Sequence, residues 1–346
     1  MYFYPILFEP NLHPVVWGGN QLRPYKGLEA TAEPIGESWE VSAVPTSTSI
    51  ISNGAWKGRD LISVIDEHPE EILGKSVNEK YDGKLPLLVK FIDAKKDLSI
   101  QVHPNDEMAM RQHGKMGKSE MWYIIKADKK AHLYAGFKQK ITPYEYQHRV
   151  ADGTITEVLA DHPVKAGDVF YLPAGRVHAI CGGILLAEVQ QSSDVTYRIF
   201  DYNRPGMDGK PRELHTELAA KALDYHVEKN YRTEYIETDN RAVQIIDSPY
   251  FDVRVMEITT PFHRNLIKYD SFIISMCIEG DCKIRVRSTG DEITLREGSS
   301  TLIPAVIADY DVIPLGGKTR MLDAFIDNKD RSLARMMTRF LHITRQ

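Results

Sequence analysis

Residues 167–178 read Gly167-Asp168-Val169-Phe170-Tyr171-Leu172-Pro173-Ala174-Gly175-Arg176-Val177-His178, and no other segment of the chain is as specific. Gly167 suits a tight turn, Val169–Leu172 a short strand, and Pro173 with Gly175 the corner that follows it. Such a corner aims His178 at a fixed point. Taken alone, the segment fits a plain β-turn carrying a surface histidine equally well. Its neighbours decide. Short stretches alternating apolar and polar residues recur along the chain, bounded by Gly, Pro, Asn or Asp: Leu98–His103, Glu120–Ile125, Leu185–Gln191, Val253–Ile258, Lys283–Val286 and Thr301–Pro304. This spacing predicts antiparallel β-structure, a sandwich or a barrel.

In a strand, successive side chains take opposite faces. Leu98-Ser99-Ile100-Gln101-Val102-His103 then sets Ser99, Gln101 and His103 on one side. Lys118 and Glu120 share a face of the next strand, and Glu188 and Gln190 share a face of a third. One polar face is an ordinary solvent-exposed side. Several of them flanking the 167–178 corner point to a polar pocket inside a barrel. His103, Glu120 and His178, with Gln101, make a divalent-metal set. Its imidazoles, carboxylate and amide oxygen leave a position open for water or substrate, as in catalytic rather than structural sites. No cysteine pair has ligand spacing, so a thiolate zinc site is excluded. The nitrogen and oxygen donors suit Zn²⁺ and would also accept Mn²⁺, Co²⁺ or Fe²⁺. His113 reads as a solvated residue of a Gly/Lys-rich loop and His215 as a surface residue of a helix, while His13, His68 and His263 show no ligand spacing.

Helical patterns are fewer: Leu61–Leu73, Asn105–Gln112 with Asn105 as N-cap, Thr142–Val150 and the amphipathic Glu213–Leu223. An internal echo organises the rest. Gly298-Ser-Ser-Thr-Leu-Ile-Pro304 repeats the glycine, strand and proline of Gly167–Pro173. This predicts two copies of one β-domain: residues 1–230 as a metal-binding catalytic domain with helical insertions, and residues 231–346 as a C-terminal copy, with the polar stretch Glu228–Asn240 as linker. In the second copy Asp309 stands where His178 would and Val306 where Gly175 would. The expectation is a domain that keeps the fold, carries no metal and packs on the first.

The chain has 346 residues, 42% hydrophobic and 26% charged, the composition of an ordinary globular protein. A net charge of −5 and the absence of a basic block argue against nucleic acid as partner. The longest apolar runs, such as Phe272–Ile278, are far below the ~20 residues of a membrane helix. The start, Met1-Tyr2-Phe3-Tyr4-Pro5, carries no secretory pattern, and Cys181, Cys277 and Cys282 make no disulfide framework. The expected location is the cytoplasm.

At these residues the sequence resembles two nested families. Gly167-x5-Pro173-x-Gly175-x2-His178 is similar to the second motif of cupins, small jelly-roll β-barrels, with Gly182 where the usual final Asn would stand. More narrowly, Gln101–Asp106, Gly117–Tyr123 and Pro173–Ala179 resemble the type I mannose-6-phosphate isomerases in their short bacterial form. So do Trp17-Gly18-Gly19, Gly36-Glu37-Ser38-Trp39-Glu40, Leu85–Phe91 and Tyr197–Tyr202. The resemblance runs from about Pro5 to Leu223 and thins over the C-terminal part. It implies a mainly β fold of two cupin-type jelly-roll barrels, and interconversion of mannose 6-phosphate and fructose 6-phosphate with one zinc ion per chain. It puts the metal ligands on Gln101, His103, Glu120 and His178. Substrate and catalytic roles fall on Ser99, Lys118, Glu188 and Arg198, with Lys90 in the substrate pocket. Arg204 stands where longer members place a phosphate-binding lysine. Those members also carry a histidine shortly after the tryptophan matching Trp39; none follows here.

Aldose–ketose isomerisation passes through a cis-enediol and needs a base that reaches both carbons. Strand alternation favours Glu188, with Lys118 as rival, and Arg198 with Arg204 as the phosphate clamp. Two other readings compete. His103, Glu120 and His178 also form the set of two histidines and a carboxylate used by non-haem iron oxygenases; Lys90, Lys118, Arg198 and Arg204 argue for an anionic substrate instead. A non-catalytic sugar-phosphate sensor would keep the barrel, but no recognition helix is evident.

Overall fold

The computed structural model describes residues 2–328; the end of the expected C-terminal domain, residues 329–346, lies outside the described residues. The fold is mainly β, of the cupin kind, and every strand pairing is antiparallel. A five-stranded sheet runs in the order Tyr197–Phe200, Ile100–Val102, His178–Ile180, His132–Phe137, Leu159–Pro163. A seven-stranded sheet runs Arg232–Thr233, Val169–Leu172, Glu120–Ala127, Ile184–Gln191, Leu87–Ala94, Leu12–Gly19, Ile35–Val41. Trp17, Ile92, Trp122, Ile124, Phe170 and Leu186 of the larger sheet meet Leu133, Ala135 and Ile180 of the smaller one in a shared core.

The outer faces are also covered. Ile100, Val102, Ala179 and Tyr197 pack under Met108, Tyr146 and Ala219, which lie on the helices Asp106–His113, Pro143–Ala151 and Thr216–Ala222. On the larger sheet, Val89, Phe91, Met121, Ala187 and Val189 pack against Val253, Val255, Ile274 and Leu322 of an eight-stranded sheet. This double coverage explains why Leu87–Ala94 and Ile184–Gln191 are buried at every position. The eight-stranded sheet is built on the long strands Ile273–Val286 and Asp309–Phe325; register shifts near Cys277–Asp281 bend it around a core of its own. Two segments cross the line drawn at residue 230. Ile6–Leu7 pairs with Leu302 and Thr301 of the eight-stranded sheet, and Arg232–Thr233 pairs with Phe170 and Val169 of the seven-stranded one.

Local signals are realised with corrections. Asn105 caps its helix by accepting the Met108 N–H at 2.9 Å. The stretch 61–73 is two helices, Leu61–Glu67 and Pro69–Leu73, because Pro69 disfavours helical geometry at His68. Lys75–Tyr81 adds a helix that the sequence reading lacked. The stretch 213–223 narrows to Thr216–Ala222; the His215 N–H is spent on the Arg198 carbonyl at 2.7 Å. The glycines of the opening corner are at positive φ, +87° at Gly167 and +91° at Gly175. Gly298 of the echo has φ +72° and precedes the strand Ser300–Ile303. Asp309 opens a strand and pairs with His263. Inside the C-terminal sheet Asp323 is held by Arg264, Ser275 and Tyr310. No helix among the described residues is long and apolar enough to cross a membrane.

Candidate metal centre and its cleft

The corner does what its glycine and proline suggest. The Gly175 N–H donates to the His103 carbonyl at 2.9 Å and the Ala174 N–H to the Ser119 hydroxyl at 3.1 Å, so the corner is tied to the segments bearing two other candidate ligands. His178 opens its strand directly opposite Gln101, and Glu120 enters from the facing sheet. The donor atoms of His103, Glu120 and His178 lie within 4.8 Å of one another, and all three residues are buried. His103 Nε2 is 3.4 Å and His178 Nε2 3.2 Å from Glu120 oxygens.

Each imidazole uses its other nitrogen as a donor. His103 Nδ1 lies 2.9 Å from the Val195 carbonyl and His178 Nδ1 2.8 Å from the Arg176 carbonyl. A carbonyl can only accept, so the proton sits on Nδ1 and the Nε2 lone pair faces Glu120. The Gln101 amide is 3.3 Å from His178 Nε2; half a turn of that amide brings its oxygen toward the cluster. Both Glu120 oxygens are buried without a hydrogen bond of sound geometry among the described residues. Burial, then Lys118, push His103 down to about 3, and burial lowers His178, so both rings are neutral. Burial opposes charge on Glu120, yet the neighbouring Lys118 ammonium holds it well below the usual carboxylate range. Two neutral imidazoles with paired Nδ1 protons, one anionic carboxylate with unspent lone pairs, and one amide are what a divalent cation requires.

A cleft of about 220 Å³ opens beside this cluster. Lys90, Ser99, Gln101, Lys118, Glu188 and Arg198 line it. Lys118 Nζ stands 2.9 Å from Glu120 Oε2 and 3.2 Å from His103 Nε2. Glu188 accepts the Trp122 indole N–H at 2.9 Å and is 3.4 Å from Lys90. Burial and the Glu120 charge raise its carboxyl above the usual value. Burial works against the Lys90 charge, but Glu37 and Glu188 outweigh it and raise that group. Leu98 belongs to the inter-sheet core and lines the cleft, unlike Ile100 and Val102, because the strand begins only at Ile100.

Arg204 is not among the cleft-lining residues. Its Nε and Nη2 donate to Asp201 at 3.0 and 2.8 Å, and Nη1 donates to the Asp97 carbonyl. Arg212 lines the cleft instead, together with Glu37, Trp17 and Trp39. Glu37 accepts the Trp39 indole N–H at 2.6 Å and lies 3.4 Å from Lys90. The sequence offered a signal for Glu37 and Trp39, since they alternate on one face of Ile35–Val41. Arg212 follows a loop and has no periodicity to mark it.

Fold and donor set together define a cupin enzyme whose barrel holds a buried cluster suited to a divalent ion, beside a cleft lined by cations and carboxylates. Residues 6–137 match the model of the type I phosphomannose isomerase catalytic domain. The mannose-6-phosphate isomerase of Streptococcus mutans is 33% identical over 307 residues, 88% of this chain and 94% of that protein. Mannose-6-phosphate isomerase ManA of Bacillus subtilis is 33% identical over 310 residues, 88% of this chain and 95% of its own. The crystal structure of a Bacillus subtilis mannose 6-phosphate isomerase superposes with a TM-score of 0.84 at 31% identity, covering 93% of this chain and 99% of that one. The chain belongs to the type I phosphomannose isomerase family, whose members are metal-dependent sugar-phosphate isomerases.

Proposed function

We propose that the cleft interconverts mannose 6-phosphate and fructose 6-phosphate through a cis-enediol, with Gln101, His103, Glu120 and His178 holding one zinc ion. The observation that carries this is the convergence of a metal-type donor set, a buried carboxylate of raised basicity (Glu188) and several cationic side chains on a single cleft. An all-nitrogen-and-oxygen set with an open position favours zinc as a Lewis acid for the substrate oxygens.

Glu188 is the base. It takes the proton from C2 of the open-chain aldose, giving the enediol, and returns the same proton to C1. The hydroxyl proton of O2 passes to O1 over the two halves, so the C2 carbonyl forms with no net gain or loss of protons. Its raised basicity suits both halves. Trp122 fixes one Glu188 oxygen, leaving Oε1, buried beside Lys90 and without a close hydrogen bond among the described residues, for the transfer. Lys118, beside Glu120, supplies positive charge to the enediol oxygens. Lys90 and Ser99 orient the sugar hydroxyls, and Arg198 faces the phosphate.

Residues 1–230 form the catalytic unit of this scheme. Residues 231–328 are its packing partner, latched by Ile6–Leu7. The unpaired thiols Cys181, Cys277 and Cys282 support a reducing, cytoplasmic setting. A coupled assay for fructose 6-phosphate tests the reading. Glu188→Gln should retain its metal and lose about 10²–10⁴-fold in kcat. Retention of more than a tenth of kcat would remove Glu188 as the base.

A further inference from the structure

The loop after strand Tyr197–Phe200 brings two arginines back to one aspartate. The chain reverses at Tyr202 and Asn203, at φ +55° and +53°, forms a hairpin closed by the Pro205–Pro211 bridge, and returns past Arg212 to His215. His215 then locks onto Arg198: the Arg198 N–H donates to His215 Nδ1 at 3.2 Å, and the His215 N–H to the Arg198 carbonyl. Asp201 takes Nε and Nη2 of Arg204, and also Nε of Arg212 at 2.6 Å and Nη2 at 2.5 Å. A single carboxylate therefore faces both guanidiniums, with Arg198 beside them.

The nitrogens already engaged separate the three. A guanidinium carries five N–H donors on three nitrogens. In Arg204 every nitrogen is already hydrogen-bonded, to Asp201 or the Asp97 carbonyl, and the side chain is off the cleft. In Arg212, Nε and Nη2 are spent and Nη1 has no partner among the described residues, while the residue lines the cleft. In Arg198, Nη1 donates to the Glu213 carbonyl, and Nε is buried without a partner on the same cleft. Arg198, Arg204 and Arg212 face the carboxylates of Asp201 and Glu213, so the cluster keeps one positive charge that an anion would neutralise.

We infer that Arg212, rather than Arg204, is the second cationic arm for the substrate phosphate: its unspent Nη1, beside Arg198, recognises the dianion, and Asp201 with Arg204 is the bracket that positions it. This rests on the sugar-phosphate reading above. The hairpin 202–212 is then a specificity element, because it delivers a phosphate contact that no strand carries. Asp201 stays ionised for this task. Burial opposes its charge, but the Arg212 and Arg204 hydrogen bonds hold its carboxyl below the ordinary range.

The test compares wild type with Arg212→Gln, Arg212→Lys and Arg204→Gln, reading KM and kcat for mannose 6-phosphate and, without turnover, the Kd of inorganic phosphate on the metal-loaded protein. Arg212→Gln should raise both KM and the phosphate Kd tenfold or more, about 1.4 kcal/mol, with kcat within about threefold and metal content unchanged. Arg212→Lys should fall between, since a lysine keeps the charge without the fork that grips Asp201. Arg204→Gln should cost less in KM than Arg212→Gln and lower Tm, as a bracket residue would. The inference is overturned if Arg212→Gln leaves the phosphate Kd within twofold, or if Arg204→Gln weakens phosphate as much as Arg212→Gln does. If wild type binds phosphate through Arg212 but forms no fructose 6-phosphate, the isomerase reading fails and the anion site stands.

Discussion

Withdrawing the divalent ion should lower the melting temperature by an amount that the donor geometry sets. Gln101 with His103, Glu120 and His178 come from three segments far apart in the chain, so the unfolded chain offers no equivalent site. A ligand present at a thousandfold its Kd then stabilises the fold by about 4 kcal/mol. Unfolding entropy of ~2.1 cal/mol/K per residue over 346 residues is about 0.7 kcal/mol/K. The ion should therefore raise Tm by about 6 °C, provided the chain melts as one unit. The assay is a thermal melt of the protein stripped with a chelator, then repeated with graded zinc, with metal content measured on the same samples. His178→Ala removes one imidazole and leaves the buried Glu120 carboxylate facing His103 and Lys118. That variant should hold no stoichiometric metal, show no activity, and shift by less than about 2 °C in the same titration. The reasoning is refuted if stripped and reloaded wild type melt within 1 °C of each other by this estimate, roughly the error of a melt, or if His178→Ala gains the full shift.

Two further outcomes test the frame around the site. Asp323→Ala should destabilise the protein by ~3–5 kcal/mol in urea unfolding, because it strands the buried Arg264 guanidinium and frees Ser275 and Tyr310; kcat/KM of the surviving folded fraction should stay within about twofold of wild type. Asp270 accepts the Lys75 and Ser76 N–H groups and the Ser76 hydroxyl, joining the C-terminal sheet to the helix Lys75–Tyr81. Partial burial opposes its charge, but the Ser76 and Lys75 hydrogen bonds lower its carboxyl. A depressed carboxyl adds stability that is full above its unfolded value, about 3.9, and is lost as pH falls through the lower folded value. Asp270→Ala should cost ~0.5–2 kcal/mol at neutral pH, as for a lost helix cap, and the gap to wild type should shrink as pH drops below that range; a gap constant down to strongly acidic pH would refute the assignment.

Much of the site is written in local chain geometry. Alternation alone put Gln101 and His103 on one side and Glu188 on the ligand side, because a strand's side-chain period does not depend on distant contacts. Gly167 and Gly175 announced positive φ, and Asn105 its cap, through interactions that span three residues or fewer. The echo of Gly167–Pro173 at Gly298–Pro304 marked a second β-sheet unit for the same reason.

Other features depend on what the chain meets after folding. Leu87–Ala94 carries apolar residues on both faces, but only the eight-stranded sheet, more than 150 residues away at Val253 and Leu322, explains why its outer face is buried. The exchange of Ile6–Leu7 into the C-terminal sheet leaves no mark near residue 6, since its partners are Leu302 and Thr301. Arg204 and Arg212 are indistinguishable as letters in a charged loop. Asp201, the Asp97 carbonyl and the hairpin's return path engage every nitrogen of one and leave the Nη1 of the other, on the cleft, without a partner among the described residues. Charge and periodicity are properties of a segment; which donors remain unspent is settled only when segments far apart in the chain compete for the same acceptors.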